Sequence, residues 1–177
     1  MRFEKLEQNI IDMIKEEQAK LGYRKESIRL YYPLSSLVHL TGENLGEQEM
    51  LALLSEFGEE RKEHLGGVTV TAKKDRFCFL IPEEGVVYVK EHTSPNEFIH
   101  DLVNLVGTHG CTMDEIKALF EKQPWPVTVE PVNNEEFDIL IRFGEGADDP
   151  YYYCFKDEGC HIIYHRFLPE DYADFDF

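Results

Sequence analysis

The sequence predicts an α+β protein of two tandem units, each a pair of helices joined by a tight turn and followed by a hairpin or small antiparallel sheet. One amino-terminal amphipathic helix precedes them. Three observations carry this expectation. Apolar blocks recur in the same order along the chain, each series passes from a helical to a strand period, and turn and cap residues stand where the elements must start and stop. Leu37-Val38-His39-Leu40-Thr41-Gly42 returns as Leu102-Val103-Asn104-Leu105-Val106-Gly107, a shift of 65, and Leu51 and Leu54 fall on Ile116 and Leu119 at the same shift. Val68-Thr69-Val70 returns as Val127-Thr128-Val129 at a shift of 59, and Phe77-Cys78-Phe79-Leu80-Ile81 meets Phe137-Asp138-Ile139-Leu140-Ile141 at 60. Glu84-Gly85 then meets Glu158-Gly159 at 74, which implies about 14 extra residues in the second copy. Collinear blocks of this kind are the mark of a duplication.

The first element is a helix from about Phe3 to Leu21, with Phe3, Leu6, Ile10, Met13, Ile14 and Leu21 on one side. A shorter helix is expected after Ser27. Pro33 can open the next helix, where its missing N–H costs nothing, and Gly42 can close it. A turn at Gly46 leads to a helix over 47–58 carrying Met50, Leu51, Leu54 and Phe57. Val68-Thr69-Val70 and Phe77–Ile81 read as strands joined by Lys73-Lys74-Asp75, and Val86–Val89 as a third strand after a Glu83-Glu84-Gly85 turn. In the second copy Pro95 opens a helix bearing Phe98, Leu102, Leu105 and Val106. Thr112 caps the following one, with Glu115 completing a capping box and Ile116, Leu119 and Phe120 as its buried stripe. Strands are expected at 127–132, 136–143, 151–156 and 160–166, with Trp125 plugging the joint before them.

Helix, tight turn, helix and hairpin is the order of a winged-helix domain, the hairpin being the wing. The expected division is an amino-terminal helix over 1–24, a winged-helix-like unit over 25–92 and a second over 93–177, with an inserted loop at 144–157 and an acidic aromatic tail. The alternative is a single mixed α+β domain with one larger antiparallel sheet.

Two resemblances add to this. Glu4-Lys5-Leu6-Glu7-Gln8-Asn9-Ile10-Ile11 through Tyr31-Tyr32-Pro33-Leu34 resembles an uncharacterised bacterial family, over most of the chain and with no activity implied. By pattern, Pro33 to Ile81 is similar to a winged-helix unit of segregation and condensation protein B, which has a Leu-rich helix ending in Gly, an acidic Glu/Leu helix and a Val/Phe hairpin. Those are acidic proteins of similar length with tandem winged helices that bind a kleisin subunit rather than DNA. The resemblance implies a protein partner and carries no binding residue over. The second copy departs from it at Gly144–Asp157.

Charge decides between partners. Acidic residues number 35 against 18 basic, a formal net charge of −17 with seven histidines neutral, which repels nucleic acid and anionic membrane. From Glu43 to Glu63, the stretch around the helix that would enter a major groove, Glu43, Glu47, Glu49, Glu56, Glu59, Glu60 and Glu63 oppose Arg61 and Lys62, a sum of −5. Its counterpart, with Asp114, Glu115 and Glu121 against Lys117 and Lys122, sums to −1. The favourable spot is the first wing tip, Lys73-Lys74-Asp75-Arg76, at +2; the matching Asn133-Asn134-Glu135-Glu136 is −2. Lys73, Lys74 and Arg76 are the candidate nucleic-acid contacts, and a charged edge hairpin kept from aggregating is the plainer account of them.

No secretory segment is expected in the Glu- and Lys-studded stretch from Met1 to Lys20, and no run approaches the ~20 apolar residues of a membrane span. With four cysteines and no C-x-x-C pair, the chain reads as a soluble cytoplasmic protein rather than a disulfide scaffold. Cys154, Cys160, His161 and His165 invite a zinc reading. Yet His161 and His165, four strand residues apart, stand about 13 Å from each other, and Cys160 points to the opposite face. His100, His109 and Cys111 form a looser set. Gly144-Glu145-Gly146 lacks the third glycine of a dinucleotide fingerprint, and Asp148-Asp149-Pro150 lacks the alternate acids of a calcium loop. No nucleophile pairs with a base. No catalytic residue, cofactor or metal is therefore expected.

Tyr151-Tyr152-Tyr153 suits a strand with rings on both faces, so one face needs a cover. The tail from Pro169 to Phe177 joins four acids to three aromatics that dock on the protein's own fold or within a homodimer. Tyr151, Tyr153, Tyr172, Phe175 and Phe177 are the candidate protein-binding residues. The leading expectation is a non-enzymatic protein-protein interaction module, by a partner or by self-association. A transcription regulator using the first wing comes second, and an enzyme of unrecognised type with a pocket between the copies third.

Overall fold

The computed structural model describes residues 2–132 and 134–175. The chain is α+β, and its two small antiparallel sheets lie in separate compact units, Met1–Ile99 and His100–Phe177. There is no single larger sheet among the described residues.

In the first unit α1 (Glu4–Leu21) is followed by β1 (Ile28–Pro33), α2 (Leu34–Thr41), α3 (Glu47–Glu60), the single turn α4 (Lys62–Leu65), β2 (Thr69–Lys73), β3 (Arg76–Ile81) and α5 (Glu83–His92). The strands lie in the order β1-β3-β2, all antiparallel. α1 buries Leu6, Ile10 and Ile14 as its spacing requires, and Phe3 meets Phe57 of α3 edge to face at 5.4 Å. Gly42 ends α2 in the left-handed region (φ 74°), donating its N–H to Val38 O. Glu49 closes the start of α3 by accepting the Gly46 N–H at 3.2 Å.

Two expectations are corrected here. The stretch after Ser27 is a strand, not a helix. Leu30 and Tyr32 alternate inward, where Tyr32 packs on Phe79 at 5.1 Å and donates to Asn9 Oδ1 at 2.7 Å. A period of two opposite β3 sets the conformation of this stretch. The stretch read as a third strand, Val86–Val89, lies inside α5. Val86 and Val89 are three apart and both buried, and Gly85 lies so close to the Leu65 carbonyl that a Cβ there would stand 2.2 Å from it. Tertiary packing overrides the strand preference of the valines.

α6 (Glu97–Val106) carries the chain from one unit into the next, its first turn capped by Asn96 Oδ1 accepting from the Ile99 N–H at 3.1 Å. The second unit continues with α7 (Met113–Glu121), β4 (Val127–Pro131), β5 (Ile139–Phe143), β6 (Tyr152–Asp157), β7 (Ile162–Phe167) and α8 (Pro169–Asp174), the strands forming a meander in sequence order. The Thr112–Glu115 capping box is present. Phe120 of α7 meets Phe143, Tyr153 and Phe155 at 5.1, 5.2 and 6.0 Å, which fills one face of the sheet. Trp125 stands edge-on to Phe143 at 5.6 Å.

The expected inserted loop is a loop only before Tyr152; the rest is strand β6. The Glu84-Gly85 and Glu158-Gly159 match also fails, because Gly85 is helical whereas Gly159 turns the chain between β6 and β7 at φ 90°. Apart from the single turn α4, which intervenes in the first unit, the order helix, helix, strand, strand does recur, as α2-α3-β2-β3 and α6-α7-β4-β5.

Candidate functional site

With Leu30 and Tyr32 of β1 and Phe77, Phe79 and Ile81 of β3 turned inward, strand alternation turns Arg29, Tyr31, Arg76, Cys78 and Leu80 outward. Register aligns these into three rows across the sheet: Arg29–Leu80–Thr69, Tyr31–Cys78–Thr71 and Pro33–Arg76–Lys73. Tyr31 is 59% exposed. Tyr31, Thr71, Ala72, Lys73, Arg76 and Cys78 line a shallow groove of about 470 Å³. Lys74 stands at the hairpin tip with a positive φ of 60°, beside Asp75, whose backbone carbonyl accepts the Leu34 N–H at 2.8 Å.

Four cations and one carboxylate thus share this face and its tip. Among the described residues Arg29, Lys73, Lys74 and Arg76 form no ion pair. Some other cations are neutralised locally, Arg61 lying 2.8 Å from Glu7, Arg142 3.4 Å from Glu130 and Lys156 3.2 Å from Asp138; what sets Arg29, Lys73, Lys74 and Arg76 apart is that they share one sheet face and its tip. Lys73, Lys74 and Arg76 are therefore brought together as the hairpin reading expects. Arg29 and Tyr31 join them only because residues 28–33 form a strand. The matching second-copy turn includes Asn133, which lies outside the described residues.

The candidate aromatic residues fall into two groups. Tyr151 and Tyr153 are buried, at 4% and 0% exposure, so they serve the interior of the second unit. Asp149 explains why: its carboxylate accepts the Tyr153 hydroxyl at 2.5 Å and the Tyr151 N–H at 3.0 Å. Burial then pushes the Tyr153 hydroxyl well above its ordinary pKa, with the Asp149 charge adding to it, and the Arg166 guanidinium lies over the Tyr151 ring at 4.3 Å. Tyr172 and Phe175 lie on the other face of the sheet. There α8 covers Phe137, Leu140, Cys154 and Phe167, with Tyr172 5.5 Å from Tyr152 and Phe175 5.1 Å from Phe167. Phe177 lies outside the described residues.

One cluster escaped the sequence reading. Glu7 of α1 holds His64 Nδ1 and Arg61 Nε, each at 2.8 Å, while His64, Tyr88 and His92 stack with centroids 5.0 and 4.5 Å apart. The i, i+4 spacing of Tyr88 and His92 is a signal only on a helix, and 86–89 reads as a strand in the sequence. Cys160 Sγ lies 3.1 Å from His161 Nδ1 in an exposed turn. Among the described residues no three His, Cys, Asp or Glu side chains converge as metal ligands, and no helix is long and apolar enough to cross a membrane.

Over residues 3–175 the chain matches the model of a family described as a domain of unknown function, E. rectale gene description (DUF3877). The chain belongs to this family. The match takes in the opening stretch whose resemblance to an uncharacterised bacterial family was noted above. No curated protein and no solved structure matches the chain. The family's description assigns no activity.

Proposed function

We propose that this chain is a non-enzymatic protein-interaction module of tandem winged-helix-like type, working in the cytoplasm. The order α1-β1-α2-α3-β2-β3, interrupted only by the single turn α4 and with β1 paired to the second strand of the hairpin, supports the winged-helix reading of the first unit. All four cysteines are free thiols, in keeping with a reducing compartment.

One observation carries the protein-partner reading. α3, the helix that a DNA-reading relative would lay in the major groove, exposes Glu49, Glu56, Glu59 and Glu60, and its nearby Arg61 is already held by Glu7 and Glu60. Each such glutamate repels a phosphate where a released counterion should contribute affinity. α7 presents Asp114, Glu115 and Glu121 in the same way. The exposed, unneutralised Lys73, Lys74 and Arg76 favour a second reading, a regulator that grips nucleic acid by the hairpin alone.

The test is chemical cross-linking at native expression level, followed by purification, beside anisotropy with a random duplex at about 50 and then about 200 mM salt. Recovery of one polypeptide in fixed stoichiometry, with no duplex binding at low salt, is expected. Bait alone together with steeply salt-sensitive duplex binding would replace this reading by the regulator.

A further inference from the structure

We propose that the outward face of the first sheet, from Arg29 to the Lys73–Arg76 end of the hairpin, binds an extended acidic peptide with an aromatic residue at its centre. This rests on the protein-interaction reading and names its surface and partner. The three outward rows succeed one another every second residue, so they repeat at about 6.6 Å. Same-face side chains of an extended peptide repeat at the same distance. A peptide lying along the strands therefore meets Arg29 with residue i, Tyr31 with residue i+2, and Arg76 and Lys73 with residue i+4. Carboxylates suit the two ends, because an arginine fork takes a carboxylate by two parallel hydrogen bonds. An aromatic ring suits the middle, where Tyr31 stands exposed and its row neighbours Cys78 and Thr71 are small. The groove of about 470 Å³ at Tyr31 has room for one such side chain.

The same chemistry favours a peptide over a nucleic acid. The two cationic ends are separated by four strand residues, about 13 Å. A short peptide can place both its carboxylates within that span. A nucleic acid strand continues past the patch, carrying a phosphate at every nucleotide over a protein of net charge −17.

The experiment uses the full chain and a fluorescein-labelled nine-residue peptide of pattern acid–spacer–aromatic–spacer–acid, followed by anisotropy. Binding is expected to weaken about tenfold or more in Arg76→Glu combined with Lys73→Glu, and similarly in Arg29→Glu. It should also weaken when the two acids become amides or the aromatic moves one position. These are exposed positions, and a thermal melt checks that each variant folds. As a second readout, in Cys111→Ser/Cys160→Ser the peptide should slow alkylation of Cys78. Absence of binding, affinity unchanged in the charge reversals, or unprotected Cys78 overturns the proposal. So does single-stranded DNA that binds the face more tightly than the peptide. If the proposal fails while a stoichiometric partner is still cross-linked by wild type and charge reversal alike, the interaction-module reading survives with another surface. If no partner is recovered either, both fall.

Discussion

Gly85→Ala is the substitution that tests most directly why residues 83–92 form a helix. A Cβ at Gly85 would stand 2.2 Å from Leu65 O, 2.6 Å from Leu65 C and 2.9 Å from Ile81 Cγ2. Ordinary contact begins about 1 Å further out, so α5 must withdraw or the Leu65 carbonyl must shift. The carbonyl has little freedom, because Leu65 is fully buried and the next residue, Gly66, has a φ of 70° and lies against Pro82. Withdrawal of α5 would loosen Val86 and Val89, which are also buried. Overpacking of this kind costs about 1–3 kcal/mol, and here the obstacle is backbone, which sets the cost near the upper end. Alanine recovers up to about 1 kcal/mol of helix propensity. The net expectation is a loss of about 2 kcal/mol, or ~8–16 °C in the melting transition of a unit of this size. Urea titration followed by circular dichroism measures it. Gly67→Ala, with nothing within 4 Å of the added Cβ, is the control and should move stability by no more than about 0.5 kcal/mol. A Gly85→Ala protein as stable as wild type would refute the account of α5.

Three further outcomes are expected. Asp149→Ala leaves the buried Tyr153 hydroxyl without this acceptor and should cost about 1–3 kcal/mol in urea, with Asp149→Asn restoring part of it. Burial pushes the Cys154 thiol up to about 12, so alkylation at about pH 8.5 should modify exposed Cys160 and leave Cys154 intact by mass spectrometry. That thiol keeps its proton when folded and loses it near pH 8.5 when unfolded. Its contribution is whole below that pH and is lost as pH rises toward about 12. Cys154→Ala should therefore show a shallower alkaline loss of stability than wild type. Tyr172→Ala removes ring contacts to Tyr152 and Phe167 and should cost about 1–2 kcal/mol while raising binding of a hydrophobic dye at Phe137 and Phe167; unchanged dye binding would count against α8 as the cover of that face.

What could be read in advance was what is encoded locally. α1, α2, α3 and α7 announce themselves through apolar spacing and through Gly42, Gly46 and Thr112, all within a few residues of the helices they bound. The four-strand meander follows from alternation and its turns. The errors fall where a distant partner decides. β1 exists because β3 lies beside it, with Leu30 opposite Phe79. α5 exists because Gly85 fits against Leu65. The candidate surface was half legible for the same reason. Lys73, Lys74 and Arg76 are neighbours in sequence, whereas Arg29 and Tyr31 reach them only through strand pairing. Tyr151 and Tyr153 show the converse: three consecutive tyrosines left one face in need of a cover, and both residues lie inside the second unit, where Asp149 accepts from the Tyr153 hydroxyl and the Tyr151 backbone N–H.

The bond between the Leu34 N–H and the Asp75 carbonyl has a mechanical meaning. Leu34 is the first residue of α2, and its amide would ordinarily be one of the orphan donors at a helix start. Here the hairpin tip supplies the acceptor. Pro33, which ends β1 and immediately precedes α2, sits opposite Arg76 at the same corner. Sheet and α2 are thus joined at one stiff corner, a proline on one side and a backbone hydrogen bond on the other. A load applied at Lys73 and Arg76 is delivered to the first turn of α2, and the exchange rate of one amide, that of Leu34, reports it.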